Sequence, residues 1–369
     1  MKIVIAPDSF KECLSSARVA SGLAAGARAR WPEADVRCIP LADGGEGTLE
    51  VLAAALQADI REARVHDPLG RRVTAPYAEK GKTAVLEAAS AVGLSLLAPR
   101  ERAPLTASSA GLGELLLAAF DQGCRHFVIG LGGTATCDGG LGMLAVPGIG
   151  RLRDATMELL CDVDAPFLGP RGAARVFGPQ KGAGPEAVEL LERRMQAQAD
   201  ALLSSTGVDV SALPGAGAAG GLAGALIAVF GARYTRGIDR VLELVHFTDA
   251  VRGAHLILTG EGRSDAQTLM GKVPMGVLRH ARNRRHDAST PPEGSHLHGQ
   301  PEGPNHRGGV PVALLSGRIE DREALRQAGF SPIVEVSPRS LPLAQALNPT
   351  VAARNLRQAV LEMELPPLR

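Results

Sequence analysis

A chain of 369 residues, 45% hydrophobic, 21% charged and with a formal net charge of +1, has the composition of a globular protein long enough for two α/β domains. Near-neutrality removes the field that would attract a polyanion, and an aromatic content of 3% removes the stacking platforms of a single-strand binder, so nucleic acid is excluded as a partner. No apolar run approaches the length that spans a bilayer, no leader pattern precedes the first strand, and the five scattered cysteines form no C-x-x-C pair, which together predict a cytoplasmic protein with reduced thiols and no membrane partner.

The head of the chain reads as a parallel α/β unit: strand Lys2 to Ala6, loop Pro7 to Lys11, a helix over 15–30 and strand Asp35 to Ile39. Between Val65 and Val92 the runs shorten to Val73–Tyr77 and Thr83–Glu87, separated by Gly70 and Gly81, which predicts antiparallel hairpin material. A helix over 111–122 leads into a buried strand, His126–Gly130, and directly into a Gly/Thr loop. Met157 to Val163 reads as a strand, Pro185 to Ser204 as a long helix with proline near its start, and 221–230 as an apolar helix after a glycine run. Strands His255–Thr259, Val312–Leu315 and Pro332–Val336 follow, each with a loop and helix-like sequence behind it. The tail thus resembles the head more than the middle. The expected organisation is a Rossmann-like parallel-sheet domain formed by 1–64 and 245–369, with a second α/β domain, 65–244, inserted; the polar stretch 283–309 reads as a disordered loop.

Glycine and acid recur together at Asp43-Gly44-Gly45-Glu46-Gly47-Thr48, Gly130-Leu131-Gly132-Gly133-Thr134, Asp138-Gly139-Gly140, Gly215 to Gly221 and Gly260-Glu261-Gly262. Tight turns bearing bare N–H groups, hydroxyls and carboxylates hold phosphates and magnesium, which points to phosphoryl transfer. Carboxyl ends of parallel strands face the ligand crevice, so Asp8, Ser9 and Lys11 after the first strand, and Asp43 and Glu46 after the second, are candidates. Thr134, Thr136 and Asp138 suit phosphate oxygens and a metal, and Lys181 on its Gly/Pro loop suits a phosphate as a point charge. Asp162 and Asp164 alternate along the expected strand, so both ligate one ion only if the strand ends there. Glu261 and Asp265 offer a magnesium ligand or proton acceptor, and Arg263 and Lys272 offer charge neutralisation. Neither a Walker lysine motif nor a dinucleotide fingerprint with its ribose acid is present.

The segments DSFKECLS, LADGGEGT, GLGGTATCDGG, CDVDAPFLGP, FGPQKGA, GAGAAGG and TGEGRSDAQTLMGK, in this order over nearly the whole chain, resemble the bacterial glycerate kinase family, which phosphorylates D-glycerate with ATP. The resemblance implies two α/β domains, one inserted into a Rossmann-like domain, an active site in the cleft between them, and 2-phosphoglycerate rather than 3-phosphoglycerate as product. Chemistry then assigns Asp8, Lys11, Asp43, Glu46, Lys181, Glu261 and Asp265 to catalysis. Gly132, Gly133, Thr134, Gly217, Gly220 and Lys272 are assigned to ATP, and Asp138 and Asp164 to Mg2+. Lys11 or Arg263 is the natural partner of the glycerate carboxylate, and monomer and homodimer both stay open.

Three departures stand out against the resemblance: Cys137 where the family usually has Asn, a shorter stretch between Met143 and Met157, and the added segment 283–309. They motivate the alternative of an impaired relative that senses a sugar acid or nucleotide. A nicotinamide-dependent dehydrogenase would share the Rossmann-like reading but lacks its fingerprint.

Overall fold

The computed structural model describes residues 1–282 and 310–365. The expected loop 283–309 lies outside the described residues. The chain divides into two compact units, residues 1–42 with 242–369 and residues 43–241. The second unit takes in residues 43–64 as well as the stretch that follows them. The long strand Asp59–His66 pairs along its whole length with Arg72–Lys80, which draws the preceding helix, Thr48–Leu56, into that unit.

The first unit is a five-stranded, all-parallel sheet of β1 Lys2–Ile5, β2 Asp35–Cys38, β9 Leu256–Thr259, β10 Val312–Ser316 and β11 Ile333–Glu335, in the order β11-β10-β9-β1-β2. Every residue of β9 and β10 is buried, as is Ile3–Ile5 of β1, which is why these strands read as unbroken apolar runs. From β1 the chain steps to one side to form β2 and returns on the other side as β9, so the strand order reverses between β1 and β9. Helices Ser16–Arg30 and Pro349–Glu362 pack closely through Gly26, where a Cβ would stand 2.7 Å from the Arg357 carbonyl oxygen. Asn348 caps the second of them by accepting from the amides of Thr350 and Val351.

The second unit carries a six-stranded sheet in sequential order: β3 Asp59–His66, β4 Arg72–Lys80, β5 Thr83–Glu87, β6 His126–Gly130, β7 Thr156–Leu160 and β8 Arg233–Thr235. β3, β4 and β5 pair antiparallel, as the hairpin pattern predicts, and β5 through β8 pair parallel. Helices Ala110–Asp121 and Leu222–Phe230 share one core with the sheet, while Pro185–Thr206 packs over Phe167, Ala173 and Ala216 in a second core. The crossover from β6 to β7 contains only the helix Leu141–Leu144 and the 3-10 segment Ile149–Asp154. It closes a parallel pair, with Ile149 and Leu152 buried in the main core. β7 stops at Leu160, short of the expected Val163, so Asp162 and Asp164 lie on a loop and the strand alternation that would separate them does not apply.

Candidate active site

In the first unit the loops after β1 and β9 flank the place where strand order reverses, the position at which open parallel sheets bind ligands. Two hydrogen bonds tie them: the Asp8 amide donates to the Gly260 carbonyl oxygen at 2.8 Å, and Thr259 Oγ1 donates to the Ala6 carbonyl oxygen at 2.7 Å. Gly260 is required there, since a Cβ would meet the Leu315 carbonyl oxygen at 1.8 Å. Asp8 is 6% exposed and accepts from the Ser9 amide at 2.7 Å, and the buried Ser9 hydroxyl has no partner among the described residues.

Glu261, 4% exposed, accepts through Oε1 from Thr268 Oγ1 at 2.5 Å and Ser264 Oγ at 3.0 Å. Ser264 in turn contacts Ser316 Oγ at 2.7 Å, and Lys272 Nζ stands 3.8 Å from Glu261 Oε2. Burial pushes the Glu261 carboxyl above its ordinary range, against the opposing pull of Thr268, Lys272 and Ser264. Asp8 and Glu261 lie on the loops after β1 and β9, Lys272 lies between the helices Ala266–Leu269 and Val273–Arg282, and Asp265 caps the first of these by accepting from the Gln267 amide. Arg263 is held by both oxygens of Glu320, and Lys11 is exposed.

In the second unit the Asp43–Thr48 loop is not an empty anion cradle. Glu87, at the end of β5, receives the amide of Leu49 at 2.8 Å and also those of Gly47 and Thr48, so a carboxylate of the fold occupies the N-terminus of the helix Thr48–Leu56. Gly44, with φ +93°, lies so close to the sheet that a Cβ would be 2.5 Å from the Leu160 carbonyl oxygen. Asp43 Oδ1 accepts from the Gly45 amide at 3.1 Å, and Glu46 is exposed. Asp162 accepts from the amides of Gly237 and Ile238 at 3.1 and 3.4 Å, at the start of the helix Gly237–Leu244. Burial, with Asp43 nearby, pushes its carboxyl up to about 7. Asp164 is exposed on the same loop.

Several assigned residues turn out to serve the scaffold. Asp138 Oδ2 accepts from the Ser109 amide and hydroxyl, both at 2.8 Å, and from the Gly142 amide at 3.1 Å, while Oδ1 accepts from the Gly140 amide at 3.1 Å. That carboxylate joins the Gly139-Gly140 turn to the start of the helix Ala110–Asp121. Gly217 and Gly220 are buried packing positions, where a Cβ would stand 2.2 Å from the Pro166 and 1.9 Å from the Thr136 carbonyl oxygens. The Gly132 amide donates to the Gly44 carbonyl oxygen at 3.2 Å and is not presented to a ligand. Gly133 remains exposed. Lys181 is 3% exposed, with Nζ donating to Thr134 Oγ1 at 3.2 Å and to the Thr136 carbonyl oxygen at 2.7 Å.

Glu87 and Ser316 were missed by sequence reasoning, and Asp162 was weighed only as a companion of Asp164. The usable signal was that a polar residue closes an otherwise apolar buried strand at Glu87 and Ser316. Among the described residues no group of three His, Cys, Asp or Glu side chains is arranged to hold a metal ion, and no helix is long and apolar enough to cross a membrane.

A model of the glycerate kinase family matches residues 3–150 and 146–289. "Glycerate kinase" of Bacillus subtilis (strain 168) is 39% identical over 378 residues, covering 94% of this chain and 93% of that protein. "Glycerate 2-kinase" of Escherichia coli (strain K12) is 41% identical over 308 residues, covering 75% and 81%. The crystal structure of putative glycerate kinase 2 from Salmonella typhimurium LT2 superposes with a TM-score of 0.78 at 37% identity, covering 98% of this chain and 96% of that one. With strand-end carboxylates on parallel sheets and these matches over most of its length, the chain belongs to the glycerate kinase family.

Proposed function

We propose that the protein transfers the terminal phosphoryl group of ATP to a hydroxyl of D-glycerate, giving 2-phosphoglycerate and ADP. The observation that carries this reading is Glu261, a buried carboxyl with a raised pKa beside the strand-order reversal, held in one orientation by two hydroxyls. A carboxyl poised nearer neutrality suits the acceptance of a hydroxyl proton as the O–P bond forms. Lys272, 3.8 Å from it, supplies positive charge for a carboxylate or phosphate oxygen, and Asp8 and the Ser9 hydroxyl, which has no partner among the described residues, offer further contacts on the neighbouring loop. In the second unit Thr134 and the exposed Gly133 receive anionic oxygens.

Magnesium fits the oxygen donors that the fold leaves open. Asp43 has one oxygen bound by a single amide and Asp164 is exposed, whereas Asp138 is saturated. Bound there with the nucleotide, the ion would neutralise phosphate charge. Glu46 stays an exposed candidate on the Asp43 loop.

The experiment is turnover of D-glycerate by the purified protein with ATP and magnesium, followed by ADP release and by phosphorus NMR of the product. A 2-phosphoglycerate signal is expected. A 3-phosphoglycerate signal would overturn the regiochemistry, and ligand binding without ADP release would favour the sensor alternative over the kinase.

A further inference from the structure

Lys181 is buried, yet among the described residues no carboxylate lies within ion-pairing distance of its ammonium, and both of its acceptors are neutral oxygens. A buried cation without a counter-ion is costly to the fold, and such costs concentrate where they serve a ligand. Burial lowers the Lys181 pKa, with Cys137 and Asp138 pulling the other way. The Thr134 hydroxyl spends a lone pair on this lysine, so its own proton must be donated elsewhere, and among the described residues nothing accepts it. Thr134 stands just beyond the end of β6, next to the exposed Gly133, whose φ is +75°.

We infer that Lys181 is a positioning residue that acts through Thr134: it fixes the hydroxyl rotor so that the O–H is presented to an anionic oxygen of a substrate, without touching that oxygen itself. The acceptor is a carboxylate oxygen of the hydroxy acid or a phosphate oxygen of the nucleotide, which share this chemistry. The inference rests on the kinase reading above and refines the part that the Thr134 loop plays in it. It also explains a lysine on a Gly/Pro loop that faces inward: its charge strengthens a donor from behind.

Lys181→Met, Thr134→Val, Thr134→Ser and the Lys181→Met/Thr134→Val double variant test it, each assayed for turnover, thermal midpoint, and the rise in that midpoint caused by ATP alone and by D-glycerate alone. Lys181→Met is expected to keep or raise the thermal midpoint, since it removes an unpaired buried charge, while kcat/KM falls by about 10- to 100-fold, the worth of a hydrogen bond to a charged group. Thr134→Val is expected to match that loss, Thr134→Ser to recover most of it, and the double variant to fall no more than about threefold below the worse single one. A rise in KM for ATP alone identifies the phosphate as acceptor, and a rise in KM for glycerate alone identifies the carboxylate.

Full activity in Thr134→Val, additive losses in the double variant, or a folded Lys181→Met protein with wild-type turnover would overturn the relay. Should Lys181→Met not fold, the contrast between Thr134→Val and Thr134→Ser decides alone. Wild-type protein whose midpoint responds to a ligand but which releases no ADP sinks the proposed reaction and leaves the relay to the ligand-induced shift, which Thr134→Val must then abolish.

Discussion

The carboxylate of Glu87 accepts the Leu49 amide at 2.8 Å and thereby answers the N-terminus of the Thr48–Leu56 helix from within the fold. The loop before that helix, Asp43 to Gly47, is thus held from behind by the end of β5. Glu87→Ala would leave the amides of Gly47, Thr48 and Leu49 without this acceptor. The expected cost is about 1–3 kcal/mol, read as a lower urea midpoint with unchanged slope, accompanied by reduced turnover. A midpoint equal to wild type would mean that the helix does not depend on this carboxylate.

Asp162 gives a pH prediction of definite sign. Its carboxyl is near 3.8 when unfolded and is raised to about 7 in the folded protein, so the native state holds the proton that the unfolded state has released. Its contribution to stability is complete below about 3.8 and is lost as pH rises through about 7. Asp162→Asn should flatten that decline. At pH 8, with EDTA present, the variant should be more stable by about 1 kcal/mol, less than the full shift implies because solvent screens part of it. Denaturant titrations at pH 5 and pH 8 check this, and an equal offset at both pH values would refute it.

Asp138 divides two roles cleanly. A carboxylate that braces Ser109, Gly140 and Gly142 should, when changed to Asn, lower stability by about 1–2 kcal/mol without altering the magnesium concentration for half-maximal rate. A metal ligand would do the reverse. Thermal melts and a magnesium titration on the same preparation separate the two.

Gly44→Ala combines two penalties, a left-handed backbone at φ +93° and a Cβ placed 2.5 Å from the Leu160 carbonyl oxygen. A loss of at least about 2 kcal/mol is expected, together with displacement of Asp43. Gly47, whose φ is +91° but whose Cβ would meet nothing within 4 Å, is the control: alanine there should cost less.

Glu261→Gln keeps an acceptor for Thr268 and Ser264 but cannot take a proton. Turnover should fall by about 100-fold or more, with the melting temperature nearly unchanged. In the wild type the acid limb of the rate profile should lie above the ordinary carboxylate range, because burial raises this carboxyl. Wild-type-like turnover in the variant would remove Glu261 from the mechanism.

Much of this was legible in the chain. Ile3–Ile5, Leu256–Thr259 and Val312–Ser316 declare parallel strands, because strands covered on both faces must be apolar throughout. The hairpin pattern at Val73–Tyr77 and Thr83–Glu87 showed where the architecture changes. Asp59–His66 escaped notice because its pattern is largely exposed, so burial imposed little alternation on it. Roles were harder to read than elements. Asp138, Asp265 and Glu87 look alike as acids beside turns or at strand ends, and only their hydrogen-bond partners, distant in sequence for Asp138 and Glu87 and two residues on for Asp265, distinguish brace, plug and cap.

The one-dimensional pattern therefore determined the fold class, the strand-end placement of the acids and the family, since periodicity and motif order are local properties of a chain. Tertiary structure alone decided which polar groups the fold consumes. It turned Asp138, Gly217 and Gly220 inward, filled a helix terminus with Glu87, and set Lys181 behind Thr134. The reason is physical: whether a carboxylate or ammonium is free for a ligand depends on donors, acceptors and desolvation supplied by residues far away along the chain, and those neighbours exist only once the sheets have packed.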